Sequence, residues 1–321
     1  MFKIWFERTL PAQYRVMLEE VAVSIGAGTD TPETPFAKVG EAEAMIAGSR
    51  LTYDAAVMDQ APQLRVIART GIGVNNVDLA AATARGVAVC NAPDGPTIAT
   101  AEHAVALMFA LARQLKWIDK TLQTGGESDY FNRYNGLELY DACLGLVGLG
   151  RIGSHVAKIA QGIGMSIIAY DPFVKAEQAE QLGVSLSPTL EALLSQADVV
   201  SLHIPLLPET KNLINANRLA QMKPGAILIN VSRGGIVDEL AVRDALDKHQ
   251  LSGAGLDVFD SEPPPPDHPL LGRDDVIATP HIAGATTAGK DRLWQAALSQ
   301  TLQVLQGERP PHLVNSEVWR V

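Results

Sequence analysis

Short apolar, β-branched runs alternate along nearly the whole chain with longer stretches in which apolar residues recur every three or four positions. That alternation predicts strands joined by crossover helices, hence an α/β fold with mainly parallel sheets. Two sets of candidate strands emerge. The first comprises Lys3–Phe6, Val21–Ile25, Ala44–Ala47, Leu64–Ala68 and Val87–Cys90. The second comprises Leu144–Gly148, Ser166–Tyr170, Val184–Leu186, Val199–His203, Ala226–Asn230, Gly253–Asp257 and Val276–Ala278. Between the sets, Ala101, Val105, Met108, Leu111 and Ala112 keep helical spacing, which predicts one long, deeply packed helix over Thr97–Leu122. A last helical pattern begins near Thr286, with Leu293, Ala296, Ala297, Leu302 and Leu305, and stops before Pro310 and Pro311. Because the second sheet is already complete there, this helix is expected to pack back on the first domain. The expected division is thus residues 1–98 with 287–321, and residues 99–286. Two chain crossings between domains favour hinge motion around a cleft.

Composition narrows the classes. Of 321 residues, 47% are hydrophobic and 19% charged, which excludes a disordered chain. Lys plus Arg number 26 against 36 Asp plus Glu, a net charge of −10 that repels a polyanion, so no nucleic-acid partner is expected. No apolar run approaches the ~20 residues of a membrane span, and the N-terminal MFKIWFERTL has no secretory pattern. A cytoplasmic protein without a membrane partner is expected. Cys90 and Cys143 cannot build a disulfide framework, and without a Cys/His ligand cluster no metal is expected.

The segment CLGLVGLGRIGSHVAKIA, from Cys143, runs an apolar strand through GxGxxG into an amphipathic helix. Gly148 suits the tight turn, Gly150 lets the backbone approach a pyrophosphate, and Gly153 lets helix and strand pack closely. The helix start adds free N–H groups and a positive dipole end. The next strand ends in Asp171, placed to bind adenosine ribose hydroxyls. Its charge repels a 2′-phosphate, so NAD is favoured over NADP.

Beside a dinucleotide, three strand ends offer chemistry: Arg233 in VSRGG, Glu262 in SEP and His281 in HIAG. Ligands of open α/β sheets bind outside the carboxyl ends of strands, so all three can converge on one crevice. Hydride transfer between an alcohol and a carbonyl needs a proton acceptor or donor, which an imidazole supplies near neutrality. A carboxylate beside it raises its pKa, and a guanidinium fork orients an anionic substrate. Taken singly, each has a plainer reading as a surface ion-pair residue, a loop acid or a helix cap; the triplet at successive sheet ends favours chemistry. His203 ends a strand where it can line the cofactor crevice, whereas His103 and His155 fall in helical patterns and His249, His268 and His312 in loops or on the surface.

These motifs, together with YDP at Tyr170–Pro172, HIPLLPET at His203–Thr210, NVSRGGIVD at Asn230–Asp238, GLDVFDSEP at Gly255–Pro263 and PHIAG at Pro280–Gly284, resemble the D-isomer-specific 2-hydroxyacid dehydrogenase family over nearly the full chain. The resemblance implies a Rossmann cofactor domain, a flavodoxin-like substrate domain made from both chain ends, NAD as cofactor and a homodimer joined through the cofactor domain. It implies Arg233 as the substrate-orienting arginine, Glu262 as the acid paired with the catalytic histidine, and His281 as the proton donor and acceptor. It also implies cofactor contacts at Gly148, Gly150, Arg151, Ile152, Gly153, Asp171, Ile204, Pro205, Val231, Ser232, Arg233, Asp257, His281 and Gly284.

Within the family, RTGIGVNNVD from Arg69 looks like the substrate loop of 3-phosphoglycerate dehydrogenases. Backbone N–H groups at Ile72 and Gly73 would grip a substrate carboxylate, and Arg69 would approach a phosphate. Such enzymes often carry a further arginine around residues 48–50; Gly48 stands in one expected place and Arg50 is the candidate to replace it. The expected reaction interconverts a small 2-keto acid and its D-2-hydroxy acid, first phosphohydroxypyruvate and 3-phosphoglycerate, second hydroxypyruvate or glyoxylate. The alternative is a non-catalytic NAD(H)-sensing protein of the same fold.

Overall fold

Apolar runs bounded by glycine, proline or acidic residues become the strands of two parallel sheets. The computed structural model describes residues 1–30, 32–125 and 129–319. In the first sheet, β1 (Phe2–Phe6), β2 (Ala22–Ala27), β3 (Ala44–Ala47), β4 (Val66–Arg69) and β5 (Ala88–Cys90) lie in the order β2-β1-β3-β4-β5. In the second, β6 (Cys143–Val147), β7 (Ser166–Tyr170), β8 (Ser185–Leu186), β9 (Val199–Leu202), β10 (Ala226–Asn230), β11 (Leu251–Leu256) and β12 (Val276–Ala278) lie in the order β12-β11-β10-β9-β6-β7-β8. Every described pair is parallel. β3, β4 and β10 are buried along their whole length, which is why they read as continuous apolar runs rather than alternating ones.

The chain forms two units, one of Met1–Pro96 with Ala285–Val321 and one of Thr97–Gly284. Arg320 and Val321, within the expected span 287–321, lie outside the described residues. Strand order reverses between β1 and β3 in the first unit and between β6 and β9 in the second. At such switch points the crevice beyond the carboxyl ends of the strands takes a ligand.

The helix expected over Thr97–Leu122 is in fact two, Thr97–Ala112 and Leu115–Gln123. Gln114 between them sits in the left-handed region at φ 47°, which an α-helix cannot continue through. Burial accounts for the difference. Ala101, Val105, Met108 and Leu111 enter the core of the second sheet, whereas Leu115 and Leu122 are exposed. Gly255 permits the close approach, since a Cβ there would meet Ile229 at 2.9 Å and Leu107 at 3.1 Å. The helix Thr287–Leu305, capped by the Thr286 side chain, packs on β3, β4 and β5 of the first sheet. Its Ala297, Leu298, Val304 and Leu305 share a core with Ile4, Phe6 and Val66. No helix among the described residues is long and apolar enough to cross a membrane.

Candidate active site

At the switch point of the second sheet, each fingerprint glycine meets a different steric demand. Gly148 adopts φ 95°, and a Cβ there would lie 2.6 Å from the His203 carbonyl oxygen. A Cβ on Gly153 would lie 2.2 Å from the Gly148 carbonyl oxygen, so helix Arg151–Gly162 can seat against the turn only with glycine there. Gly150 faces open space and is the helix N-cap, with no side-chain cap on the first-turn N–H groups. Those N–H groups form an anion seat. Asp171 reaches back over the turn, its Oδ2 accepting from Leu149 N at 2.9 Å and its Oδ1 from Phe173 N at 2.9 Å. An open glycine cradle with a carboxylate at its rim fits a dinucleotide with a free ribose. Arg151 is exposed and Ile152 half-buried on the first helical turn, and Ile204 and Pro205 follow β9 across the crevice. His203 Nε2 shares a hydrogen bond with Ser201 Oγ at 2.9 Å, while Nδ1 is buried without a partner. Burial pushes its pKa down to about 3, so the ring is neutral.

The loops after β10 and β11 are tied to one another. Buried Asn230 bends the chain as β10 ends, its Nδ2 donating to Arg233 O at 2.9 Å and its Oδ1 accepting from Ser232 N at 3.1 Å. Val231 and Ser232 are buried, and the Ser232 hydroxyl donates to Leu202 O. A Cβ on Gly234 would lie 1.9 Å from Phe259 O, so the backbone of one loop rests on the other. Asp260 fastens them, with its Oδ1 accepting from Gly235 N and its own N–H donating to Glu239 Oε1 at 2.8 Å. His268 completes this brace at 2.9 Å from Glu239 Oε2.

The brace sets Glu262 against His281. Their Oε2 and Nδ1 are 2.7 Å apart, with side chains 38% and 44% exposed respectively. Burial works to raise the Glu262 pKa. The hydrogen bond to His281 and its charge, then Phe259 N and the charge of Arg233, outweigh that effect and hold the carboxyl below its ordinary range. Arg233 is shifted downward by burial, opposed by the charge of Glu262. Such an arrangement can present His281 Nε2 to a reactant while the charge of Arg233, which acts on Glu262, orients an anion.

His281 itself adopts φ 54°, unusual for a side-chain-bearing residue. Asp257 holds it there. The Asp257 carbonyl accepts from His281 N at 2.7 Å, and its carboxylate accepts from Ile282 N at 2.9 Å, Ala283 N at 2.8 Å and Thr279 Oγ1 at 2.6 Å. The Asp257 side chain, expected at the cofactor, is fully buried and takes up these three donors from the loop after β12. Gly284, at the end of that loop, is half-buried.

Arg69, Ile72 and Gly73 lie in the first unit. Arg69, expected to approach a phosphate, has its guanidinium turned inward, and the residue is 7% exposed. Nε donates to Gly73 O at 2.9 Å, and Nη1 to Ala47 O at 3.1 Å and to Gly48 O. Three carbonyls from two stretches of the chain bond the fork. Among the described residues, the N–H groups of Ile72 and Gly73 donate to no protein acceptor.

Sequence reasoning missed Asn230, Asp260, Glu239, Thr279 and His103, which share a brace or the Asp257 network. His103 Nε2 is 3.0 Å from Thr279 Oγ1 and 3.7 Å from Asp257 Oδ1. Asn230 carried a usable signal, a polar residue ending the otherwise apolar AILIN. The others did not, because their partners lie 21 to 176 positions away.

Residues 105–283 match the D-isomer specific 2-hydroxyacid dehydrogenase, NAD binding domain. The chain is 41% identical to D-3-phosphoglycerate dehydrogenase of Methanocaldococcus jannaschii over 93% of its own length and 56% of the relative. It is 40% identical to glyoxylate reductase of Korarchaeum cryptofilum over 88% of its length and 86% of the relative. D-lactate dehydrogenase of Aquifex aeolicus, solved with NAD and lactic acid, superposes with a TM-score of 0.86 at 28% identity, covering 98% and 99% of the two chains. The chain spans about half the length of the phosphoglycerate dehydrogenases it matches.

Proposed function

Since the chain belongs to the D-isomer specific 2-hydroxyacid dehydrogenase family, we propose that it interconverts a small 2-keto acid and its D-2-hydroxy acid with NAD(H). The observation that carries this reading is the 2.7 Å contact of Glu262 with His281, held beside Arg233 at the carboxyl ends of the NAD-binding sheet. When bound, NADH supplies the hydride. His281 Nε2 donates a proton to the carbonyl oxygen in reduction and accepts it from the hydroxyl in oxidation. Glu262 orients the ring through Nδ1 and balances the imidazolium charge, and Arg233 forks onto the substrate oxygens. The N–H groups of Ile72 and Gly73 take the substrate carboxylate.

We assign Thr97–Gly284 to the cofactor and Met1–Pro96 with Ala285–Val321 to the substrate. Gly148 to Gly153 seat the pyrophosphate, Asp171 the ribose, and Ile204, Pro205, Val231, Ser232 and Gly284 line the way to the reactive ring. The chain acts as a homodimer in this reading. Phosphohydroxypyruvate and 3-phosphoglycerate draw support from the relatives of that name. Hydroxypyruvate or glyoxylate draws support from the glyoxylate reductase and from the inward turn of Arg69. NADH oxidation with a panel of 2-keto acids tests the proposal. Turnover above background supports it, whereas tight NADH binding without turnover supports the sensor and overturns it.

A further inference from the structure

In the first unit the switch-point crevice lies between the carboxyl ends of β1 and β3, and a side chain of the protein fills it. Glu7, the residue after β1, is 1% exposed. Its Oε2 accepts from Gly48 N at 2.9 Å and from the Tyr53 hydroxyl at 2.8 Å, and its Oε1 accepts from Arg50 N at 3.0 Å. Two turn N–H groups and a hydroxyl closing on one carboxylate is how a protein seats an anion. Burial, then the charge of Glu7, pushes the Tyr53 pKa upward, so that hydroxyl stays protonated and donates.

Carbonyls of the same turn are drawn on as well. Arg69 binds the carbonyls of Ala47 and Gly48, and Asn76 Nδ2 binds those of Gly48 at 3.1 Å and Leu51 at 2.6 Å. A Cβ on Gly48 would lie 2.3 Å from Glu7 Oε1, so no side chain fits at position 48 while Glu7 is seated. An incoming anion at this turn finds the Gly48 and Arg50 N–H groups occupied and a like charge buried behind them.

We propose that Glu7 is a specificity-determining residue whose carboxylate occupies the anion seat of the 47–51 turn, excluding a phosphate from the substrate's far end and selecting unphosphorylated 2-keto acids. The proposal rests on the reading of the chain as a 2-keto acid reductase with the neighbouring Ile72–Gly73 backbone at the substrate carboxylate.

NADH oxidation by the whole chain, with hydroxypyruvate and with phosphohydroxypyruvate, tests it in wild type, Glu7→Gln and Arg50→Ala. Like-charge repulsion at short range predicts a wild-type kcat/KM about tenfold or more higher for hydroxypyruvate. Glu7→Gln narrows that ratio by about tenfold through the KM for the phosphorylated acid, since the charge goes while the shape stays. Wild-type preference for the phosphorylated acid, or an equal loss on both acids in Glu7→Gln, overturns the proposal. So does a selective loss on the phosphorylated acid in Arg50→Ala, which would give the phosphate to that exposed side chain. If Glu7→Gln fails to fold, the wild-type ratio and Arg50→Ala decide. Should neither acid be reduced, the functional reading fails on its own. Calorimetric titration of glycerate and 3-phosphoglycerate into the NADH-loaded protein then reads the selection without turnover, with tighter binding of the phosphorylated acid counting against Glu7.

Discussion

Glu7 and Glu262 both stand just beyond parallel strands, and they are coordinated in opposite ways. Glu7 is buried and accepts from two backbone N–H groups and a tyrosine hydroxyl. Glu262 is 38% exposed and shares its Oε2 with a single titratable ring, which keeps a second nitrogen for a reactant. A saturated carboxylate holds the backbone that surrounds it. An under-coordinated one beside an imidazole can follow a proton as it arrives and leaves. The same contrast separates Arg69, whose fork is consumed by carbonyls, from Arg233, which bonds its neighbouring Ser232 carbonyl while burial and Glu262 act on its charge.

The largest expected effect lies on the open side of this comparison. His281→Ala should lower kcat for 2-keto acid reduction by roughly 10²–10⁴-fold, the usual worth of a positioned acid–base group, with NADH affinity by fluorescence titration nearly intact. Turnover within threefold of wild type would remove His281 from the chemistry. Asp257→Ala comes next, because it frees three donors and the φ 54° backbone of His281. Misplacement of the ring predicts about a hundredfold fall in kcat. The unsatisfied donors predict a loss of about 3 kcal/mol in urea unfolding. A kinetic loss without a stability loss would show that Asp257 touches the reaction directly.

A smaller effect concerns pH. The Glu262 pKa is lowered in the folded chain from an ordinary value of 4.5, so its pairing contributes fully above that value and is lost as pH falls through the lowered one. The urea midpoint of wild type should exceed that of Glu262→Gln at pH 5, and the margin should close at more acid pH. A margin that closes between pH 7 and pH 6 would place another group in control. The smallest effect is expected of Tyr53→Phe, which removes one of three bonds to Glu7 and should cost about 1 kcal/mol in unfolding. A cost near zero would mean that the two N–H groups alone seat that carboxylate.

Much of this was legible beforehand, and the reasons differ by element. The strands β3, β7, β10 and β12 fall where their apolar runs predicted, and in β3 and β10 burial on both faces leaves a continuous signal. The Gly148 and Gly153 spacing was readable because a left-handed turn and a close backbone contact each demand glycine at a set distance. The end of the helix at Ala112 was not readable, since Leu115 and Leu122 keep an apolar look on a helix that buries none of its residues. Nor was the inward turn of Arg69, whose composition suits a ligand as well as a carbonyl.

The order of amino acids alone determined two parallel α/β sheets and the glycine turn, and it singled out Arg233, Glu262 and His281 as candidates, because these follow from local periodicity or from chemistry that few residue types can perform. Only the tertiary structure decided which charged groups turn inward. Glu7 finds its donors 41 to 46 positions away, and Asp257 finds three of its own 22 to 26 positions away. A buried charge is stable only where distant backbone delivers the partners that replace water.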